Sequence, residues 1–446
     1  MNVEQVVLDR VLPNEKEDKR VREAVSSAMD IIIKTIKKIG LKAEPILVGS
    51  VAKDTYLRNP EIDIFIMFPP DTPREKLEKH GLKLGQFLKN KKKMYAEHPY
   101  TRGVHEGFDT EIVPCYAITS PEQKLSAVDR TPYHTKYVMK RLGATQRDQV
   151  RLLKAFMKGV RIYGAEAKVQ GFSGYLCELL VLKYGTFRDV LRAAERWQPG
   201  NVIALDVLPT RIFDEPLIIV DPVDGGRNVA SAVSRNSMAI LVHAAVEYLK
   251  KPKIEFFFPA PPSRPSKDKI LKILKNRGTT LMLIIIKTPR VTEDVLYPQI
   301  HKASKAFLDL FRRNGFSVLK LDIDVIEKET LLLFEFETFE LPKAKKHEGP
   351  PVWIRNSLDF QEKWRHSKEA LSDPYIEDGK WFVDVRREQV TAAKIVQERY
   401  SELSLGKDLD RIAKTSLQVL IDDKALRRPY MHSIWRFLNQ KFPWER

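Results

Sequence analysis

The residues best placed to do chemistry are a serine and two carboxylates: Gly49-Ser50-Val51-Ala52-Lys53 and, after a short loop, Glu61-Ile62-Asp63-Ile64-Phe65-Ile66-Met67-Phe68. Side chains alternate between the faces of a strand, so Glu61 and Asp63 share one face while Ile62, Ile64 and Ile66 fill the other. Two carboxylates this close repel each other unless a cation neutralises them. Hard oxygen ligands suit Mg²⁺, which is commonly held by one or two carboxylates with substrate phosphates completing its shell. Gly49-Ser50 adds a tight turn, backbone N–H groups and a hydroxyl, the equipment for holding a phosphate. A second acidic pair, Asp109 and Glu111, repeats the spacing before Ile112-Val113, in a strand that Pro114 is expected to end. Neighbouring strands with carboxylates on one face could serve two metal ions, an arrangement that activates an attacking hydroxyl and stabilises a leaving pyrophosphate.

The elements that must position these groups are legible in outline. Val21, Ala24, Val25, Ala28 and Ile32 recur at helical spacing, predicting a charged helix from about Asn14 to Lys38. A short strand ending at Val48, the Gly-Ser turn and the acidic strand follow. A helix from Pro73 to Lys89 and a basic run (Lys89, Lys91, Lys92, Lys93) lead to the strand Thr110 to Tyr116. From Arg147 the pattern turns helical, with Val150, Leu153, Met157 and Val160 in one stripe and Tyr175, Leu179 and Leu182 in another. Pro259-Ala260-Pro261-Pro262-Ser263-Arg264-Pro265 is a stiff linker that no helix or central strand could contain. Beyond it, a strand (Thr280 to Lys287), a helix (Glu293 to Asn314) and two strands (Ser317 to Ile326, Thr330 to Phe339) give the β-α-β-β order of a ferredoxin-like or RRM-type sheet, without an aromatic RNP signature. The last hundred residues mix helices and basic segments, broken at Gly349-Pro350-Pro351 and ending in Trp435 and Trp444.

Composition sets the outer bounds. A chain of 446 residues exceeds what one core supports, so several domains are expected. Its 76 Lys and Arg against 59 Asp and Glu leave a net charge of +17, which points to a polyanionic partner such as nucleic acid. Cys115 and Cys177 sit among apolar neighbours and read as reduced core residues of a cytoplasmic protein, with no zinc spacing. The start of the chain lacks a signal pattern, and the longest apolar run, Leu281 to Ile286, is too short to span a bilayer, so no membrane partner is expected.

The order of a Gly-Ser, a Glu-x-Asp and a later carboxylate on a strand is that of the polymerase-beta-like nucleotidyltransferase superfamily. Further motifs narrow the match: Ala96-Glu97-His98-Pro99-Tyr100, Val113-Pro114-Cys115-Tyr116, Ser126 through His134, Ile162-Tyr163-Gly164-Ala165-Glu166, Gly171 through Glu178, and Asp221-Pro222-Val223-Asp224 with Arg227-Asn228-Val229-Ala230. Together they resemble the archaeal, class I CCA-adding enzymes (tRNA nucleotidyltransferases), densely from about residue 45 to 235 and more thinly to the C-terminus.

That resemblance implies an α+β multidomain fold: a polymerase-beta-like nucleotidyltransferase head (1–140), a helical neck (141–258) and an RNA-binding, ferredoxin-like body with a mixed tail (267–446). It implies template-independent addition of C, C and A to the 3′ end of tRNA from CTP and ATP, with Mg²⁺ as cofactor. The tRNA is expected to be gripped along its acceptor and T arms, and a homodimer through body and tail is expected. By motif position Glu61, Asp63 and Glu111 correspond to the family's catalytic metal ligands, with Glu111 standing where the family usually has Asp and Asp109 as the possible substitute. Ser50, Lys53, His134, Lys154 and Tyr163 match positions that hold the incoming nucleotide and its triphosphate; Lys53 stands where an Arg is familiar, which keeps the charge without the bidentate fork. Arg227 resembles the arginine that hydrogen-bonds the base and restricts the pocket to C and A. Taken singly, His134 reads as a surface or satisfied core histidine, Lys154 as a lysine with its stem along apolar surface, and Tyr163 as packing. Basic candidates for tRNA are Lys302, Lys305, Arg312 and Arg313, and Lys343, Lys345, Lys346 and Arg355, each of which reads equally as a solvated face. Two other readings use the same residues: a poly(A) polymerase relative that adds many AMP units, and a catalytically silent RNA-binding homologue.

Overall fold

The computed structural model describes residues 2–95, 97–263 and 265–446; Ala96 and Arg264, which fall in two of the stretches above, lie outside the described residues. The chain divides into two compact units, Met1–Pro261 with Lys441–Arg446, and Pro262–Gln440. The segments 1–140 and 141–258 thus lie in one unit.

The first unit opens with helices α1 (Val3–Val11) and α2 (Glu15–Lys38). Asn14 and Glu17 form a capping box at the start of α2, and Val21, Ala24, Ala28, Ile32 and Ile36 make its buried stripe. Strand β1 (Glu44–Val48) runs into α3 (Gly49–Ala52), so the expected Gly-Ser turn is the first turn of a one-turn helix. Then come β2 (Ile62–Phe68), α4 (Arg74–Leu84), β3 (Lys89–Tyr95), β4 (Pro99–His105) and β5 (Phe108–Tyr116).

These strands form a five-stranded sheet in the order β1-β2-β5-β4-β3, with β2 and β5 parallel and the other neighbours antiparallel. On one face Ile62, Ile64, Ile66 and Phe68 pack with buried residues of α2 and α4. The other face, with Phe65, Val113 and Cys115 along it, also carries Asp63. Two expectations are corrected here, on the end of α4 and on Pro114, and the unassigned lysine run gains a structure. Helix α4 stops at Leu84, where Gly85 brings the chain so close to β4 that a Cβ would stand 2.4 Å from Thr101 Cβ. The lysine run is β3, an edge strand whose charges discourage pairing with another chain. Pro114 does not end β5, which continues to Tyr116: the β4 ladder stops at Ile112, so the missing proline N–H costs no hydrogen bond on that side.

The rest of the unit is α5 (Thr131–Arg141), α6 (Ala144–Gly159), α7 (Gly174–Tyr184), α8 (Phe187–Ala194) and α9 (Arg235–Lys250). A three-stranded sheet that helical periodicity did not predict lies among them: β6 (Asn201–Ile203), β7 (Leu217–Asp221) and β8 (Asp224–Asn228). Phe156 of α6 sits at the centre of an aromatic cluster, with the rings of Phe187, Tyr248, Phe256 and Phe257 between 5.5 and 5.7 Å away. Trp444 stacks on Phe256 at 5.1 Å.

In the second unit α10 (Lys267–Arg277), β9 (Thr280–Lys287), α11 (Glu293–Arg313), β10 (Ser317–Ile326) and β11 (Glu329–Thr338) are followed by β12 (Ala344–Pro351), α12 (Ser357–Arg365), β13 (Tyr375–Glu377), β14 (Lys380–Arg386), α13 (Ala392–Arg399), α14 (Lys407–Ser416), β15 (Gln418–Ile421) and α15 (Met431–Leu438). The antiparallel order β10-β11-β9-β15 is ferredoxin-like. Both faces are covered: Phe334 and Phe336 meet Phe311 of α11, while Leu331 and Leu333 pack with α10 and α15. Gly349-Pro350-Pro351 is not a break but the end of β12, an edge strand, at a shift in register. Cys115 and Cys177 are both buried and free, as expected. Among the described residues no helix is long and apolar enough to cross a membrane.

Gly159 closes α6 against the segment leading to the linker. A Cβ there would stand 2.0 Å from the Phe256 carbonyl oxygen and 2.7 Å from Phe257 Cα, both backbone atoms. Gly159→Ala should therefore lower stability by about 1–3 kcal/mol, read as a lower thermal midpoint by circular dichroism; an unchanged midpoint would show that the two segments part without cost.

Candidate active site

Sheet register places the acidic residues. Asp63 of β2 lies directly across from Glu111 of the parallel strand β5, and Glu111 lies across from Arg102 of β4. Asp63, Glu111 and Arg102 thus form one row, with Glu61 just before β2. Arg102 reaches over three of the acids, with nitrogens 2.9 Å from Glu61 Oε1, 3.5 Å from Asp109 Oδ2 and 3.6 Å from Glu111 Oε1. Gly49, at φ +71°, leaves the space that Asp63 fills, since a Cβ there would stand 1.9 Å from Asp63 Oδ2.

The row is electrostatically crowded. Burial, with the Glu61 charge beside it, pushes the Asp63 carboxyl up to about 7. Burial, then the charges of Glu61 and Asp63, push Glu111 up to about 8, with Arg102 offsetting only part of this. Glu61 Oε1, although near Arg102, is buried without an aligned hydrogen bond. Such a set of oxygen donors fits a hard divalent cation, which would relieve the repulsion. Among the described residues no group of three or more His, Cys, Asp or Glu side chains is placed to hold a metal ion by itself. Glu61 lies against Arg102, and Glu111 lines a neighbouring cavity. That geometry suits an ion held by a few carboxylates and completed by substrate phosphates.

Beside the row opens a cavity of about 690 Å³. Ser50, Lys53, Glu61, Asp63, His134, Lys154, Tyr163 and Arg227 all line it. Glu111 lies instead in an adjoining space of about 270 Å³, which shares Gly49, Asp63, Val128 and Thr131 with the larger one. Asp109 lines neither and has a side chain 60% exposed, against 19% for Glu111.

Two buried carboxylates organise the lining. Glu178 of α7 accepts from Lys53 Nζ, from Lys154 Nζ (3.2 Å) and from Thr55 Oγ1 (2.6 Å), and Lys154 also donates to the Thr55 carbonyl (3.0 Å). Burial alone would raise the Glu178 carboxyl, but the two ammonium groups outweigh it and hold it below the usual range. Burial pulls Lys154 down despite Glu178. Asp221 accepts from Arg227 Nη1 (2.8 Å), lies 2.9 Å from His134 Nε2, and receives the Tyr175 hydroxyl (3.3 Å). Its burial works against ionisation, yet the bond and charge of His134 together with Arg227 bring it down to about 2. Burial lowers His134 more than Asp221 raises it. The Tyr175 ring stacks on the imidazole at 4.3 Å.

Arg102, Glu178 and Asp221 had been given no role from sequence. Glu178 did leave a signal, one acid inside the apolar run Leu176-Cys177-Glu178-Leu179-Leu180-Val181. Arg102 left none, because only register puts it opposite Glu111.

A mixed sheet with carboxylates on one face, next to a cavity lined by lysines, arginines and a histidine, defines a nucleotidyltransferase. Residues 29–134 match the nucleotidyltransferase domain family, 148–258 the second domain of tRNA nucleotidyltransferase and 277–422 the C-terminal domain of CCA-adding enzyme. The chain is 37% identical to the CCA-adding enzyme of Methanosarcina barkeri, over 93% of this chain and 92% of that one. It is 37% identical to that of Methanothermobacter thermautotrophicus, over 98% of each, and 38% identical to that of Thermoplasma volcanium, over 92% and 91%. The chain belongs to the CCA-adding enzyme family of tRNA nucleotidyltransferases.

The raised carboxyls give the pH dependence its sign. Asp63 and Glu111 bind protons more tightly in the folded than in the unfolded chain, so their stabilising contribution is complete below about pH 4 and is lost as pH rises through about 7 and about 8. With divalent ions chelated, the thermal midpoint should fall between about pH 5 and about pH 8, and Asp63→Asn should flatten that slope. An equal slope in the variant would place the titrating group elsewhere.

Proposed function

We propose that this protein adds C, C and A to the 3′ end of tRNA from CTP and ATP, without a template, and that Mg²⁺ is its cofactor. The observation that carries the reading is the single cavity in which cationic groups suited to a triphosphate (Lys53, Lys154), an arginine suited to a base edge (Arg227) and the acidic pair Glu61 and Asp63 face one space. Lys53 and Lys154 meet the triphosphate charge, with the Ser50 hydroxyl beside them; Glu178 holds both ammonium groups in place. His134 and Tyr163 flank the nucleotide, and Arg227 meets the base. The 3′-hydroxyl oxygen of the RNA bonds to the α-phosphorus as the bond to pyrophosphate breaks, and the hydroxyl proton passes to the carboxylate row. Mg²⁺, when bound, supplies charge neutralisation at the attacking and leaving oxygens. Glu61, Asp63 and Glu111 would hold it. The cross-strand position of Glu111 beside Asp63, and the exposure of Asp109, favour Glu111 over Asp109.

For the tRNA, Lys302, Lys305, Arg312 and Arg313 of α11 line one groove of about 610 Å³ with Asp309 and Glu402. Lys343, Lys345, Lys346 and Arg355 are exposed around β12, although Lys346 pairs with Glu377. Because helices cover both faces of the ferredoxin-like sheet, contact with RNA falls to helices and edges, as suits an A-form stem recognised by phosphates and shape. The acceptor and T arms as the gripped region, and a homodimer, belong to the same proposal.

The test offers labelled CTP or ATP with Mg²⁺ to tRNAs ending before, within and after CC. CMP on the shorter tRNAs and one AMP on the CC-ended tRNA are expected; long A tails, or no incorporation, would overturn the reading. In the same assay Glu111→Gln should lose ~10²-fold or more in CMP incorporation while Asp109→Asn stays near the parent, and the reverse result would move the ligand to Asp109. Affinity for tRNA should weaken at least roughly tenfold between about 50 and about 300 mM KCl, because the basic groove releases counterions; a flat salt profile would remove the groove from the interface.

A further inference from the structure

Asp221 is wholly buried and does not line the cavity, yet it touches three side chains that do, Arg227, His134 and Tyr175. Its Oδ2 accepts from Arg227 Nη1 at 2.8 Å and lies 2.9 Å from His134 Nε2. Its Oδ1 accepts from the Val223 N–H at 3.1 Å and from the Tyr175 hydroxyl at 3.3 Å. A carboxylate offers about four lone-pair sites, so these partners saturate it. They come from α5, α7, the turn after β7 and β8, and Asp221 itself ends β7, every residue of which is buried. The acceptor is therefore fixed by the core of the unit and not by its own rotamer.

Arg227 differs. Its side chain is 33% exposed and faces the cavity, and among the described residues Asp221 is its one ion-pair partner. A guanidinium carries five N–H donors, so one bond to Asp221 leaves others for a base. Where those donors point decides which base they satisfy. Cytosine at N3 and adenine at N1 present acceptors on the pairing edge; uracil presents an N3–H donor there. A guanidinium held in one place finds an acceptor on C and A and leaves a donor facing a donor on U. A guanidinium free to turn can find a uracil carbonyl instead. Discrimination of this kind survives only while the donor cannot move, because it rests on a polar group left unpaired with the wrong base.

We propose that Asp221 is a specificity-determining positioning residue: its buried carboxylate holds Arg227 and His134 in the arrangement that accepts cytosine and adenine and rejects uracil. The inference rests on the reading of Arg227 as the residue that meets the base. Loss of Asp221 relaxes selection against UTP more than it slows the use of CTP. A purely structural role would lower both alike.

The experiment measures kcat/KM for CMP and UMP addition to tRNA lacking its last three nucleotides, using the full chain and the variants D221N, D221E and R227K. Asp221→Asn is nearly isosteric but puts an amide N–H₂ among donors and removes the charge that holds Arg227. It should raise the UMP-to-CMP ratio on the order of tenfold or more. Asp221→Glu keeps the charge and displaces the acceptor by about an ångström, so it should raise the ratio less but in the same direction, and it carries the test should D221N fail to fold. An unchanged ratio in folded D221N and D221E, with a raised ratio in R227K, would overturn the role of Asp221 and leave Arg227 in place. An unchanged ratio in R227K as well would overturn base recognition by Arg227, and the role of Asp221 with it.

Discussion

Two carboxylates without access to water, Glu178 and Asp221, are what the rest of the first unit depends on. Each has been taken out of solvent and is held by the groups that meet it: Lys53, Lys154 and the Thr55 hydroxyl for one, Arg227, His134, the Tyr175 hydroxyl and the Val223 N–H for the other. Removing one partner of such a buried pair leaves an uncompensated charge, which is far more costly than never having buried the pair. These contacts join segments distant in sequence, since Lys53 follows α3 while Glu178 is on α7, and His134 is on α5 while Asp221 ends β7. In the proposed reading, the cations that meet the nucleotide are thereby fixed before it arrives, which is how a site stabilises developing charge without reorganising.

The acidic row obeys the opposite rule. Glu61, Asp63 and Glu111 lie on the face of the five-stranded sheet opposite the one that carries the α2 and α4 core, and their mutual repulsion is only partly answered by Arg102. The neighbouring groups act as a matched pair. In the proposed reading, cationic side chains whose charges are met by internal acids meet the triphosphate, while under-compensated acids meet a divalent ion. Gly49 permits this by letting the backbone approach Asp63 where any Cβ would collide.

The second unit uses a common fold in a restricted way. A ferredoxin-like sheet can present an open face to single-stranded RNA, but here α10 and α15 occupy one face and α11 the other. What remains outward is charge on helices and edges, the chemistry that suits a double-stranded stem, where phosphates and shape are read in preference to bases.

Much of this was legible in the chain alone. The alternation of Glu61 and Asp63 with isoleucines, the α2 stripe, and the strands on either side of α11 follow from local periodicity, because each depends only on which neighbouring residues share a face. The run Leu217-Ile218-Ile219-Val220, which forms β7, was missed because a short apolar stretch has no period to separate strand from helix. Pro114 was misread because its tolerance depends on where a neighbouring strand ends. Motif order carried the identity of most pocket residues. What sequence by itself determined was therefore which groups exist and which face of its own element each occupies. Tertiary structure alone decided that Arg102 answers Glu111, that Glu178 holds two lysines and that Asp221 holds Arg227, because register and burial are relations between elements and no local pattern encodes them.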